Sequence, residues 1–219
     1  MLVRQILCFS FVLFLSQFGR AQDLSTPSPA RGSGEMTLVF VGDSLTQGYG
    51  VKKNESFPEL VSEQLKKNGR KVKVINGGVS GSLSSSAEQR VRWYLKIHPD
   101  VIFICLGAND SFKGTPPSAI KQNLSKAIAL AQAAQVRVVL AGMRPFRNMG
   151  EKYVQEFEGV FRDLAKMKNL TYMPFLLDGV ALKPELNQAD GKHPNAQGHI
   201  LISQNVLKVL EPVLDSIKK

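Results

Sequence analysis

The sequence predicts a three-layer α/β/α sandwich built on a five-stranded, mainly parallel, doubly wound sheet. Five short apolar runs of strand-forming residues alternate along the chain with five longer segments of helical periodicity, and this alternation is typical of βα units. The runs are mainly apolar, as expected for strands that helices cover on both faces. Right-handed crossovers between consecutive strands complete the predicted architecture.

The elements follow one another from residue 36 onward. The strand-like runs, rich in Val, Ile, Leu and Phe, are residues 37–41, 71–75, 101–106, 136–141 and 170–174. Between them, apolar residues recur at three- and four-residue spacing, which predicts amphipathic helices. These helices are expected over residues 57–67, 84–97, 117–134, 151–168 and 196–217.

The N-terminal segment has the layout of a secretory signal. Arg4 precedes an apolar run over residues 6–15, and small residues at 19 and 21 stand where a signal peptidase reads. The run is too short to span a bilayer comfortably. We therefore predict a signal peptide over residues 1–21, cleaved after Ala21, a flexible Ser- and Pro-rich linker over 22–35, and one domain over 36–219. The mature protein is expected to be periplasmic or secreted, without stable membrane insertion.

The composition argues against nucleic-acid binding and against a structural disulfide. The chain has a formal net charge of +10, but its basic residues are scattered and not interleaved with aromatic residues, which argues against nucleic-acid binding. Cys8 leaves with the predicted signal peptide, so Cys105 has no partner for an intrachain disulfide. Its place in an apolar strand predicts a small buried hydrophobic residue instead of a reactive thiol.

Ser44 follows the first predicted strand after two residues, in the sequence Gly42-Asp43-Ser44. Ligands of parallel α/β folds bind at the carboxyl ends of the strands, and this is the edge to which the strand delivers the serine. A serine in this position can equally cap the following helix. Asp43 is expected to hold the turn and not to be the catalytic acid. The G-x-S-x-G motif of α/β-hydrolases is absent.

His193 and Asp190 lie three residues apart in a loop before the last predicted helix. From a loop the imidazole can reach the strand ends, and Asp190 can fix its tautomer by accepting a hydrogen bond from one ring nitrogen. The segment could also be an ordinary turn that caps the helix. With Ser44, however, it supplies the parts of an activated nucleophile. The other histidines, His98 and His199, are expected at the surface or in packing.

Two further polar segments follow strands. Residues 76–81 come after the second predicted strand, and residues 107–110 after the third. Their glycines allow a backbone N–H to approach a substrate oxygen, and Asn109 adds a side-chain donor. Acyl transfer needs such donors for the oxyanion of its tetrahedral intermediate. Either segment alone is also compatible with plain turn chemistry.

The blocks together resemble the SGNH, or GDSL, hydrolases, especially their bacterial periplasmic esterases. The resemblance covers roughly residues 36–214, and its four blocks are Gly42-Asp43-Ser44-Leu45, Gly81, Gly107-x-Asn109-Asp110 and Asp190-x-x-His193-Pro194-Asn195. It implies a flavodoxin-like fold. Two positions depart from the usual pattern: Ser82, where relatives often carry Asp, and Ala108, where Gly is common.

This resemblance implies that Ser44 is the nucleophile, His193 the base and Asp190 the residue that orients it. It also implies an oxyanion hole made of the backbone N–H groups of Ser44 and Gly81 and the side chain of Asn109. The expected activity is hydrolysis of carboxylic esters or thioesters, including lysophospholipid or acyl-CoA types, through an acyl-enzyme. No metal or cofactor is expected, because Asp190 and His193 fall short of the three ligands of a hydrolytic zinc site.

The expected partners are small acyl esters or thioesters, lipids among them, and the expected oligomeric state is a monomer.

Position along the chain suggests an acyl pocket lined by Phe112, Met143, Pro145, Phe146, Phe175 and Leu176, with the loop over residues 111–117 as a mobile cover. Two alternatives stay open. The same triad could remove acetyl groups from a carbohydrate or cell-envelope polymer, and the fold could serve as a silent lipid- or glycan-binding module.

Overall fold

The computed structural model describes residues 34–217, apart from the side chain of Arg147. The predicted signal peptide and residues 22–33 of the predicted linker lie outside this range. The five strands are β1 (Met36–Gly42), β2 (Val72–Gly78), β3 (Val101–Cys105), β4 (Arg137–Ala141) and β5 (Thr171–Met173). They form one parallel sheet in the order β2-β1-β3-β4-β5.

The helices are α1 (Ser44–Gln47), α2 (Phe57–Lys67), α3 (Ala87–Leu95), α4 (Ala108–Phe112), α5 (Pro117–Ala133), α6 (Glu151–Lys168) and α7 (Ala196–Asp215). Helix α2 packs against α7, while α5 packs against α3 and α6. With right-handed crossovers, these groups form the two outer layers of a doubly wound sandwich. The predicted fold class is confirmed.

The strand order places the functional edge of the sheet. The chain runs from β1 outward to β2 and then returns to the other side of β1 as β3, so the winding direction reverses between β1 and β3. A crevice forms outside the carboxyl ends of the strands at such a reversal. The segments that follow β1 and β3 begin with Asp43 and Leu106, and they therefore face each other across this crevice.

The sheet forms the centre of the hydrophobic core. The middle of β1 and all of β3 have no exposed surface, in agreement with strands that are apolar on both faces. The Phe40 ring lies 5.4 Å from that of Phe57 in α2 and 5.1 Å from that of Phe103 in β3. Cys105 is fully buried, and burial raises the pKa of its thiol.

Strand β2 runs three residues further than predicted. The sequence Asn76-Gly77-Gly78 indicated a loop, but Gly78 pairs with Gly42 at the end of β1. A Cβ on Gly78 would lie 2.1 Å from the backbone nitrogen of Gln47 in α1. The glycine therefore lets the first turn of α1 lie directly against the end of the sheet.

The helix predicted over residues 84–97 is shorter and begins with a different turn. Ser84–Ser86 form a single 3₁₀ turn, and α3 follows it. The buried Asp110 accepts hydrogen bonds from the Ser84 backbone N–H at 2.7 Å and from its hydroxyl at 2.6 Å. This tertiary anchor fixes the turn and ties the segment after β2 to α4. Within residues 34–217, no helix is both long and apolar enough to cross a bilayer.

Candidate active site

Ser44 lies at the sharp turn between β1 and α1. Asp43 is the N-cap of α1, and its Oδ1 accepts a hydrogen bond from the Leu45 N–H at 3.0 Å. Ser44 is the first residue of the helix, and only 9% of it is exposed. The backbone N–H of a first helical residue has no acceptor within its own helix. The turn therefore presents a hydroxyl and an N–H at the same place.

Ser44 and two side chains from a loop almost 150 residues further along the chain form one hydrogen-bonded chain at this point. His193 Nε2 lies 2.9 Å from Ser44 Oγ, and His193 Nδ1 lies 2.6 Å from Asp190 Oδ2. An ionised carboxylate only accepts hydrogen bonds, so Nδ1 carries the ring proton in this arrangement. Nε2 is then left as the acceptor for the Ser44 hydroxyl. The structure brings together the three residues that were predicted from the sequence to form the triad.

Asp190 is held as an anion by its surroundings. The His193 ring bonds to Oδ2, while the backbone N–H groups of Lys192 and His193 donate to Oδ1 at 2.9 and 3.0 Å. These hydrogen bonds, with that from the His193 side chain the strongest, lower the pKa of Asp190 to about 2. The carboxylate is therefore ionised at neutral pH and can stabilise a positively charged imidazole.

The loop that carries His193 is anchored by contacts that the sequence did not reveal. The His193 ring packs against Tyr49, with ring centroids 4.7 Å apart. The side-chain amide of Gln188 donates to the Tyr49 carbonyl at 2.6 Å, and the Gln188 backbone N–H donates to the His193 carbonyl at 2.8 Å. Asn195 ends the loop by capping α7 through the Gly198 N–H. These residues hold the imidazole over Ser44.

The predicted oxyanion donors surround the same point. Asn109 is the second residue of α4, and its amide donates to the Ser82 carbonyl at 3.1 Å and to Asp43 Oδ2 at 3.4 Å. Gly81 lies in the segment after β2 with a φ of 77°, a left-handed conformation that favours glycine. The segments that follow β1, β2 and β3 thus each bring one predicted donor to the edge of the sheet.

The other two histidines lie elsewhere. His98 is exposed. His199 is buried in α7, where its Nδ1 accepts a hydrogen bond from the Phe57 N–H at 3.2 Å and so caps α2. Burial lowers the pKa of His199 to about 4, so the ring stays neutral and can accept this bond. Within residues 34–217, no three His, Cys, Asp or Glu side chains cluster in a way that could hold a metal ion.

The predicted acyl-pocket residues fall into two groups. Phe112 and Phe146 are 49% and 40% exposed, and their rings stack at 5.4 Å. The Lys192 ammonium lies 5.5 Å from the Phe112 ring centre, which places this aromatic pair next to the His193 loop. Phe175 is partly exposed and lies under the Arg144 guanidinium, 4.6 Å from its ring centre.

The remaining pocket candidates are buried. Leu176 has no exposed surface, Met143 is only 3% exposed, and Pro145 is also buried. These side chains belong to the interior and have no surface to offer a substrate in this structure, contrary to the expectation. Their nearness to the strand ends was visible in the sequence, but their depth depends on how the segments after β4 and β5 fold over them.

The buried carboxyl of Asp43 gives a prediction about stability. Burial raises the pKa of Asp43 to about 6, although the Leu45 N–H and the charge of Arg90 act against the rise. Below about pH 6 the folded protein therefore holds Asp43 as the protonated acid, and ionising it costs stability as the pH rises from about 4 to about 6. At about 1.4 kcal/mol per unit of pKa, the full cost is about 3 kcal/mol.

Asp43→Asn removes this cost, since the amide does not ionise. Relative to the wild type, the variant is expected to gain about 3 kcal/mol in free energy of unfolding between pH 4 and pH 7. Urea denaturation across this range measures the difference. A difference between the two proteins that does not change with pH would show that Asp43 is not destabilised as an anion.

Comparisons with known proteins agree with this geometry. Residues 40–201 match the model of the GDSL-like lipase/acylhydrolase family. An arylesterase of Vibrio mimicus is 37% identical over 79% of this chain and 87% of its own length. The thioesterase 1/protease 1/lysophospholipase L1 of Escherichia coli is 31% identical over 84% of this chain and 88% of its own length.

A solved structure shows the same architecture. The crystal structure of the psychrotrophic esterase EstA from Pseudoalteromonas sp., inhibited by monoethylphosphonate, superposes with a TM-score of 0.79 at 27% identity. The match covers 83% of this chain and all of that one. The resemblance predicted from the four sequence blocks is confirmed: the chain belongs to the GDSL-like lipase/acylhydrolase family and is a serine esterase.

Proposed function

We propose that this esterase hydrolyses acyl esters and thioesters with Ser44 as nucleophile, His193 as general base and Asp190 as the residue that orients the imidazole. The observation that carries the proposal is the continuous chain from Ser44 Oγ to His193 Nε2, at 2.9 Å, and from His193 Nδ1 to Asp190 Oδ2, at 2.6 Å. Nucleophile and base within this distance, with the base oriented by a third group, is the arrangement that activates a serine.

In the first half of the reaction, the Ser44 hydroxyl attacks the substrate carbonyl as its proton passes to His193 Nε2. The bond between Oγ and the carbonyl carbon forms, and the carbonyl oxygen becomes an oxyanion. The imidazolium then gives its proton to the leaving alcohol or thiol as the bond to that group breaks. In the second half, His193 takes a proton from water, the hydroxide attacks the acyl-enzyme, and the proton returns to Ser44 Oγ as the acid leaves.

The oxyanion would be received by the backbone N–H groups of Ser44 and Gly81 and by the Asn109 amide. The two N–H groups of this amide donate to the Ser82 carbonyl at 3.1 Å and to Asp43 Oδ2 at 3.4 Å. The first bond would be exchanged for one to the oxyanion, while Asp43 keeps the amide oriented. A donor that is largely oriented in advance needs little reorganisation when charge develops, and this is why it lowers the barrier.

Asn109→Ala is expected to lower kcat by about 100- to 1000-fold, with a much smaller change in KM, because the donor acts on charge that develops in the transition state. Steady-state kinetics on a p-nitrophenyl ester measures both. The same substitution at Asn205, which donates to the Asp178 carbonyl on the surface, is the control. An effect of Asn109→Ala confined to KM would contradict an oxyanion role.

The acyl chain is expected to lie along the exposed stack of Phe112 and Phe146. Two half-exposed aromatic rings beside the His193 loop offer an apolar wall, and each methylene that such a wall buries contributes about 0.8 kcal/mol. We therefore propose a preference for medium or long acyl chains. Lipid esters such as lysophospholipids and thioesters of the acyl-CoA type carry chains of this kind.

Replacing Phe112 and Phe146 together by alanine is expected to lower kcat/KM by about tenfold or more for laurate, because several methylenes lose their wall, while acetate is almost unaffected. The ratio of kcat/KM values for p-nitrophenyl laurate and acetate measures this. Trp93→Ala, at an aromatic ring that is 65% exposed on α3, serves as the control. An unchanged ratio in the double variant would remove the pair from the acyl site.

The chain-length series also tests the proposed substrate class. The wild type is assayed on p-nitrophenyl esters from acetate to palmitate. Activity that peaks at medium or long chains supports the acyl-ester hydrolase. Activity confined to acetate would favour the deacetylase alternative, for which the exposed position of Asp190 provides an open site. No activity at any length would count against the proposed substrates.

We also propose that the domain is exported after cleavage behind Ala21 and works as a monomer in the periplasm or outside the cell. The apolar run over residues 6–15 and the small residues at 19 and 21 support this. N-terminal sequencing of the mature protein tests it, with Gln22 expected as the first residue. An intact Met1 on exported protein would contradict cleavage.

A further inference from the structure

Arg90 makes two hydrogen bonds below the predicted oxyanion hole. It lies on α3, half-buried, and its guanidinium donates to the Gly42 carbonyl at 2.8 Å and also to the Gly77 carbonyl. A guanidinium is planar, permanently charged and able to donate in two directions at once. Here it joins the ends of two neighbouring strands through their main chains.

These two carbonyls belong to the segments that carry the predicted donors. The Gly42 carbonyl shares a peptide group with the Asp43 nitrogen, one residue before Ser44. The Gly77 carbonyl lies at the end of β2, four residues before Gly81. The Gly42 carbonyl also accepts a hydrogen bond from the Val79 N–H at 3.1 Å. Gly42 and Gly78 are the last paired residues of β1 and β2, and beyond them the two chains leave the sheet. Arg90 therefore holds the two strands together where their pairing ends.

The third predicted donor, the Asn109 amide, is linked to the Arg90 guanidinium through Asp43. Asp43 Oδ2 accepts a hydrogen bond from the Asn109 amide, and Asp43 needs its negative charge to accept it well. Burial raises the pKa of Asp43, and the nearby charge of Arg90 opposes that rise. Arg90 thus favours the ionised form of the carboxyl that orients Asn109.

We propose that Arg90 is a positioning residue for the oxyanion hole, which sets the separation of the Ser44 and Gly81 N–H groups and supports the orientation of Asn109 through Asp43. The inference rests on the proposed function of these three donors. Arg90 would act by holding the backbone of the two segments that carry the Ser44 and Gly81 N–H groups. The role is indirect, since the guanidinium lies beneath those segments.

The chemistry of the side chain makes a graded prediction. Arg90→Met keeps much of the length but removes both hydrogen bonds and the charge. Arg90→Lys keeps the charge near Asp43, but its compact ammonium does not reproduce the planar fork of a guanidinium. A misplacement of about 1 Å can cost about 100-fold in rate. We therefore expect kcat to fall by about 10- to 100-fold in Arg90→Met and by less in Arg90→Lys, with little change in KM.

The matched control lies on the same helix. The exposed Arg92 donates to Glu88 Oε1 at 2.9 Å, four residues away. Arg92→Met removes a guanidinium and an ion pair from α3 without touching the sheet, so its kcat is expected to stay at the wild-type value. Thermal unfolding of each variant accompanies the kinetics, because a role limited to stability would lower the melting temperature and leave kcat unchanged.

A double-variant cycle with Asn109→Ala separates positioning from general damage. If Arg90 acts through the oxyanion hole, Arg90→Met should cost much less kcat in the Asn109→Ala background than in the wild type, because part of the hole is already lost. Effects on kcat that multiply independently would overturn the inference, as would a wild-type kcat in Arg90→Met. If that variant does not fold, Arg90→Lys is taken through the same cycle with the same criteria.

The cycle also keeps the two proposals apart. A wild-type kcat in Asn109→Ala alone would contradict the proposed oxyanion hole, and the inference about Arg90 would fall with it. A large effect of Asn109→Ala that multiplies independently with Arg90→Met would overturn only the role of Arg90.

Discussion

Ser44→Ala is expected to reduce kcat by at least about 10⁴-fold, the largest effect of any single substitution in this protein. Ser44 Oγ is the atom that bonds to the acyl carbon, and without it no acyl-enzyme can form. The His193 Nε2 that lies 2.9 Å from Oγ then has no proton to take from the protein. Residual hydrolysis would come only from water and the remaining donors.

The control for this prediction is Ser203→Ala. Ser203 is buried to a similar degree, but its hydroxyl donates only within α7, to the Ile200 carbonyl at 2.7 Å. The substitution removes the same atom and should leave kcat near its wild-type value. A kcat of purified Ser44→Ala close to that of Ser203→Ala would contradict the assignment of the nucleophile.

Asp190→Asn is expected to lower kcat by about 10³- to 10⁴-fold. An asparagine can offer its amide N–H to Nδ1, which favours the tautomer with the proton on Nε2. That proton would face Ser44 Oγ, and the imidazole could no longer act as a base. The loop itself should persist, because the asparagine carbonyl oxygen can still accept from the Lys192 and His193 backbone N–H groups that now bond to Asp190.

The lowered pKa of Asp190 adds a pH test of the same substitution. With a folded-state pKa of about 2, Asp190 stabilises the fold above its unfolded value of about 4, and this contribution is lost as the pH falls toward 2. The stability difference between wild type and Asp190→Asn should therefore shrink on acidification. Denaturant unfolding at pH 2.5, 4 and 7 measures it.

Asp163→Asn is the control for both measurements. Asp163 pairs with Lys121 on the surface, at 3.1 Å, so kcat should not change. A similar kcat in Asp190→Asn and in the wild type would exclude Asp190 as the residue that orients His193.

Periodicity was sufficient to predict the large elements of this fold. The strands β1 and β3 are continuous apolar runs, and helices such as α6 show an apolar stripe over five turns, so burial alone determines where they lie. The blocks at the strand ends then followed from topology, because parallel strands bring their carboxyl ends to one edge. This is why Ser44 and Asn109 could be expected near one another.

The short helices could not be predicted in the same way. Helices α1 and α4 span four and five residues, too few for a repeating apolar pattern to be recognised. Helix α1 depends on the close approach of Gly78 to Gln47, and α4 is tied by Asp110 to Ser84. Both are fixed by contacts between distant segments, which a local pattern does not contain.

The residues that hold the active site in place could not be predicted either, because their contacts also join distant segments of the chain. Arg90 falls on an amphipathic helix where an arginine is unremarkable, and only the fold brings it to the Gly42 carbonyl. Tyr49 and Gln188 are 139 residues apart and meet through a single hydrogen bond. For Leu176 the prediction was wrong in the other direction. Its position near a strand end suggested a place in the acyl pocket, but the side chain is fully buried.

Covalent labelling tests directly whether Ser44 is the activated nucleophile of this enzyme. The full chain is treated with a fluorophosphonate, which phosphonylates an activated serine, and the modified residue is located by peptide mass spectrometry alongside Ser44→Ala. We expect one modification per chain, on Ser44, in step with loss of esterase activity and absent from the variant. Loss of activity while Ser44 stays unmodified, or with another residue modified in its place, would show that Ser44 is not the nucleophile.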